Sequence, residues 1–126
     1  MNENLVLAKD HLAKAKEFLE AAEVNDEYEL FSAAVSNAVT SGVNSKDAIC
    51  LKLTGRTGRS DDHAAAAAEL KASGPIGAGL APTLRRLLGL KPKAQYQAKR
   101  MTDKESASAV GWAQRLYESA ERVVNS

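Results

Sequence analysis

The sequence predicts an all-α protein, an up-and-down antiparallel bundle of about five helices. Apolar and small residues recur at alternating steps of three and four through most of the chain. No segment sustains the period-two alternation of a half-buried strand. Aromatic residues make up only 5% of the chain, so the core must rely on Ala, Leu and Val, which suits closely packed helices. With 126 residues, 44% hydrophobic and 26% charged, the chain fits one ordinary globular domain over residues 1–126.

Each element follows from local chemistry. Leu5, Ala8, Leu12, Ala15, Leu19 and Ala22 form the apolar stripe of a first helix, and Asn25-Asp26 interrupts it while offering N-caps for the next. The second helix runs from about Asp26 to Thr54 on the stripe Tyr28, Phe31, Val35, Ala38, Gly42, Ser45 and Ile49. Gly42 on that stripe predicts a close helix–helix approach; a break near Gly42–Asn44 is the alternative to one long helix. Gly55 ends the helix as a C′ glycine. A third helix is expected from Ser60 or Asp61, both capping residues, through Ala64–Ala68 to Ser73-Gly74-Pro75. The fourth carries Leu80, Leu84, Leu87 and Leu88, with Pro82 tolerable only in its first turn, and closes at Gly89 and Pro92. Residues 91–103 are expected as a loop. The last helix, about Asp103 to Val124, buries Ala109, Ala113, Leu116, Ala120 and Val123.

Seventeen Lys and Arg stand against sixteen Asp and Glu, a formal net charge of +1, so any attraction for phosphate has to be local. Cys50 is the only cysteine; it allows no intrachain disulfide and reads as a small core residue. Two histidines and one cysteine far apart in sequence offer no zinc-ligand cluster, and neither metal nor cofactor is expected. The opening Asn2-Glu3-Asn4 lacks a basic stretch followed by an apolar one, and no apolar run approaches the ~20 residues that span a bilayer. The expectation is a cytoplasmic protein with no membrane partner.

The best candidate active centre is the turn Arg56–His63. His63 falls in the first turn of the third helix, where free backbone N–H groups favour phosphate, and Arg56 and Arg59 precede it on a glycine-flexible turn. A titrating imidazole beside guanidinium groups that grip phosphate bidentately supplies the parts for phosphodiester cleavage. The bland alternative is a charged, solvated helix connection. His11 lies off the first helix's inner stripe and reads as a surface histidine. Lys91, Lys93, Lys99 and Arg100 make a diffuse basic loop, Arg85 and Arg86 a solvated helix face, and Trp112 a core or interface residue.

A wider pattern surrounds this turn. A helix of small residues with Ala33-Ala-Val-Ser-Asn-Ala38 and Asp47-Ala-Ile-Cys-Leu51 leads into Gly55-Arg-Thr-Gly-Arg-Ser-Asp-Asp-His63. Then come Leu84-Arg-Arg-Leu-Leu-Gly-Leu-Lys91 and Lys93-Ala-Gln-Tyr96, before a final amphipathic helix. The arrangement resembles the small stand-alone bacterial HEPN-domain proteins (higher eukaryote and prokaryote nucleotide-binding) over nearly the whole chain, most specifically from Asp47 to Tyr96. The resemblance implies a helical bundle, often a homodimer, and for many members a metal-independent endoribonuclease, commonly the toxin of a toxin–antitoxin pair. The family motif is an Arg followed after four to six residues by a His. Arg56 and His63 fit it with six between them; Arg59, with three, does not. Where the family usually has Asn, Asp or His after its Arg, this chain has Thr57, and some members have lost cleavage and serve as binding or partner domains. Arg56 and His63 are thus the candidate catalytic residues, and Arg59, Asp62 and Tyr96 the candidate substrate-binding ones. The expected function is RNA binding with endoribonuclease activity. The alternatives are a non-catalytic nucleotide-binding module partnered with a nucleotidyltransferase, and a plain helical dimerisation protein.

Overall fold

The computed structural model describes residues 2–58 and 62–126, and among these every regular element is a helix. The helices are α1 (Glu3–Glu27), α2 (Phe31–Thr54), α3 (His63–Ala72), α4 (Pro75–Leu88), α5 (Lys91–Tyr96) and α6 (Asp103–Val124). Five correspond to the expected bundle, and among the described residues none is long and apolar enough to cross a membrane.

The three longest helices carry the core. Ala8, Ala15 and Ala22 of α1 and Ala34, Ala38 and Ala48 of α2 are fully buried, so the two backbones come close enough for Ser41 Oγ to donate to the Ala15 carbonyl at 2.7 Å. Helix α2 runs unbroken through Gly42. A Cβ there would stand 2.6 Å from Leu87 Cδ2 and 3.3 Å from Leu116 Cδ1, so glycine admits the leucines of α4 and α6 to the stripe. Helix α6 lies antiparallel to α1, with Ser106 Oγ donating to Asp26 Oδ1 at 2.6 Å, and packs along α2 as well. The Met101 N–H bonds Ser32 Oγ near the start of α2, and Lys52 Nζ reaches the Val124 carbonyl at the far end, so α6 and α2 run the same way. The long excursion α3–α4–α5 makes that parallel return feasible.

Several boundaries differ from the sequence expectation. Asn25 and Asp26 do not interrupt α1 or cap α2, because their side chains find partners elsewhere: Asn25 Oδ1 accepts from Asn37 Nδ2 at 2.7 Å, and Asp26 accepts from Ser106. The chain reverses at Glu29 (φ 62°), α2 starts at Phe31 without a side-chain cap, and Tyr28 is exposed rather than on the inner stripe. Gly55 ends α2 as expected, with φ 75° and its N–H on the Leu51 carbonyl. Helix α3 is described from His63, with Asp62 as its N-cap; Ser60 and Asp61, where the sequence placed its start, lie outside the described residues.

Helix α4 starts at Pro75, which puts Pro82 in its interior and not its first turn. Pro82 and Ala78 both lie on the exposed face, where water can satisfy the carbonyl that proline leaves unbonded. Part of the expected 91–103 loop is helical: Pro92 falls in the first turn of α5, where its missing N–H costs nothing. Lys93 then bonds Glu105 at 2.8 Å, tying α5 to the capping box with which Thr102 and Glu105 open α6. That hydrogen bond leads the influences that hold the Glu105 carboxyl down at about 2.

Candidate functional site

The N-terminal half of α1, the C-terminal half of α2, the turn after Gly55, the start of α3 and the α4–α5 junction enclose an open cavity of about 850 Å³. This falls within the usual range of small-ligand sites, about 300–1,000 Å³. The spacing of α2 explains its wall: Thr40, Asn44, Asp47 and Leu51 recur at four, three and four residues, a stripe of three polar residues and one leucine beside the small-residue one. From α1, Asn4, Leu7 and His11 face it at the same helical interval.

Behind the wall lies a buried charged cluster. Lys46 is only 2% exposed, so its ammonium must be paired to be tolerated. Its Nζ donates to Glu69 Oε2 at 2.9 Å, Thr57 Oγ1 at 2.9 Å and Asp47 Oδ1 at 3.1 Å. Thr57 Oγ1 donates in turn to Asp47 Oδ1 at 2.5 Å, and the Gly58 N–H donates to Glu69 Oε2 at 2.7 Å. Burial by itself pulls the Lys46 ammonium down, but the two carboxylates outweigh it and hold the group above its ordinary value. The Lys46 hydrogen bond holds the Glu69 carboxyl below the usual carboxylate range, against its partial burial and with help from Gly58. The cluster thus pins the turn that presents Arg56 to helices α2 and α3. Cys50 beside it is buried, which pushes its thiol up to about 11 and makes it a poor nucleophile at neutral pH.

The sequence-predicted residues divide. Arg56, Asp62 and His63 all line the cavity. Arg56 is exposed and His63 half-buried at the first position of α3. The Asp62 carboxylate accepts from the N–H groups of Ala64 (2.9 Å) and Ala65 (3.5 Å). Those helix-terminal donors, expected to be free for phosphate, are therefore already engaged. Tyr96 is 75% exposed at the end of α5 and does not line the cavity; Gln95 does. Arg59 lies outside the described residues. Of the basic loop, Lys91 lines the cavity and Lys93 is held by Glu105, while Lys99 and Arg100 are exposed.

The sequence reading missed His11, which lines the same cavity. Its Nδ1 is 2.9 Å from Asn44 Oδ1 and 3.8 Å from Asp47 Oδ2. The signal was present: His11 stands three residues after Ala8 and four before Ala15, on the flank of the buried face opposite Leu5 and Leu12. Lys46 and Asp47 were also legible, as the only charged residues between Phe31 and Leu51.

Fold and site together define a helical-bundle protein whose open cavity gathers two imidazoles, a guanidinium and an ammonium over a buried ionic cluster. Among the described residues no group of three or more His, Cys, Asp or Glu side chains is placed to hold a metal ion. No protein-family model matches the chain, and no curated protein matches it significantly.

Proposed function

We propose that the protein is a HEPN-type RNA-binding protein that cleaves RNA without a metal ion, acting as a homodimer in the cytoplasm and regulated by a separate antitoxin. The observation that carries this reading is that Arg56 and His63, with six residues between them in the chain, line one cavity together with Lys91. In this reaction the ribose 2′-oxygen attacks the adjacent phosphorus and the 5′-oxygen leaves. His63 transfers a proton in that step, and Arg56 balances the charge that builds on the phosphoryl oxygens. Lys91 draws the phosphate backbone to the cavity rim.

The test is cleavage of single-stranded RNA by the purified protein in excess EDTA, with products ending in a 2′,3′-cyclic phosphate. His63→Ala should lower the rate by roughly 10²–10⁴-fold, the worth of a positioned proton-transfer group. Arg56→Lys should not restore what Arg56→Ala loses, because a point charge cannot reproduce a bidentate fork. DNA, lacking the 2′-hydroxyl, should survive.

One observation favours a second reading. Thr57, at the position where the HEPN motif usually has Asn, Asp or His, has its hydroxyl committed to Asp47 and Lys46. A cavity so arranged also suits a non-catalytic nucleotide-binding module partnered with a nucleotidyltransferase. Nucleotide or RNA binding that Arg56→Ala weakens, without turnover, would select it.

A further inference from the structure

We infer that His11 is a second proton-transfer group of this cavity, the base that accepts the ribose 2′-hydroxyl proton, leaving His63 as the acid that protonates the departing 5′-oxygen. The inference rests on the endoribonuclease reading and adds to it that one chain carries both groups. Its first support is position: His11 from α1 and His63 from α3 line the same cavity, with Arg56 and Lys91.

The second support is the tautomer. Asn44 Nδ2 donates to the Thr40 carbonyl at 2.9 Å, which fixes the amide so that its oxygen faces His11. Only an N–H can pair with that oxygen, so Nδ1 carries the proton and Nε2 holds the lone pair a base needs.

The third support is charge. Lys46 offsets one of the two carboxylates it touches, leaving the Lys46–Asp47–Glu69 cluster one negative charge in excess. Asp47 Oδ2 stands 3.8 Å from His11 Nδ1, placed to balance the charge the ring acquires with a proton. Arg56 and Lys91 add positive charge to the cavity lining and Asp62 negative. Asn44 and Asp47 are both buried, so the ring is gripped by fixed groups and not by mobile surface ones.

The step balances within the site. The 2′-O–H bond breaks and its proton passes to His11 Nε2; the 2′-O–P bond forms as the P–O5′ bond breaks; the proton of His63 goes to the 5′-oxygen. The products are a 2′,3′-cyclic phosphate and a 5′-hydroxyl, and exchange with water resets both rings. Asp47 and Asn44 are positioning residues in this scheme.

The experiment compares an ordinary RNA dinucleotide with one whose bridging 5′-oxygen is sulfur, a leaving group that departs without a proton. Wild-type protein, His63→Ala, His11→Ala and His11→Gln are assayed on both; the glutamine variant keeps a donor for Asn44, and far-UV circular dichroism checks that all four are folded. His63→Ala should lose roughly 10²–10⁴-fold on the oxygen substrate and recover on the sulfur one. Both His11 variants should lose a similar factor on both substrates, since the 2′-proton must still be removed. Folded His11 variants with wild-type rates overturn the inference and leave the His63 reading standing. Rescue of the His11 variants by sulfur overturns the assignment of His11 as the base. A wild-type protein that cuts neither substrate overturns the cleavage reading itself, and the inference with it.

Discussion

Lys46 illustrates how the site is held at the scale of a single residue. Its ammonium is buried against Asp47, Thr57 and Glu69, and removing either carboxylate strips it of one of its two charged hydrogen-bond acceptors. Glu69 titrates below its ordinary value in the folded protein. A carboxyl depressed in this way stabilises the fold above the unfolded value, near 4.5, and that contribution is lost as the pH falls through the folded value. Glu69→Gln should therefore be less stable than wild type by about 1–2 kcal/mol at pH 7, a partly exposed carboxylate being discounted for screening. The difference should shrink on acidification to pH 3, read by urea denaturation at both pH values; a pH-independent difference would contradict this role. At this scale Arg56, Asp62 and His63 were legible because the motif spacing lies within one turn of sequence. His11 was legible only as a residue on the flank of the α1 stripe; its place in the cavity depends on the crossing of α1 over Asn44 and Asp47 of α2, which local spacing does not show.

Among the elements, stripe periodicity identified α1, α2 and α6 directly, since each buries small residues at three- and four-residue steps. Boundaries were harder wherever a polar side chain had a tertiary partner: Asn25 and Asp26 read as caps but are consumed by Asn37 and Ser106. Proline gave the same lesson in reverse, tolerated inside α4 because Pro82 faces water. Two glycines separate kinds of close approach. At Gly42 a methyl would meet the side-chain ends of Leu87 and Leu116, which can shift. At Gly77 it would meet the Leu70 carbonyl oxygen and Ser73 Oγ, and backbone does not yield. Gly42→Ala should therefore be close to neutral, the clash offset by about 1 kcal/mol of helix propensity. Gly77→Ala should cost about 1–3 kcal/mol. Equal thermal midpoints for the two variants would contradict this account of how α3 packs on α4.

Over the whole molecule, the small-residue face of α2 (Ala38, Ser41, Gly42, Ser45) is spent inside the chain on α1, α4 and α6. A homodimer must therefore use another surface. Sedimentation equilibrium should still return about twice the 13.4 kDa chain mass. A strict monomer would remove the dimer from the proposal but not the cavity, whose two histidines belong to one chain. The central claim is that this cavity directs a ribose 2′-hydroxyl at its own phosphate without a metal. Its most direct measurement sets single-stranded RNA beside its 2′-O-methyl counterpart, each incubated with the protein in excess EDTA. The RNA should be shortened to fragments with 2′,3′-cyclic phosphate ends while the methylated strand stays intact; cutting of the methylated strand, or loss of all cutting when EDTA is added, would contradict it.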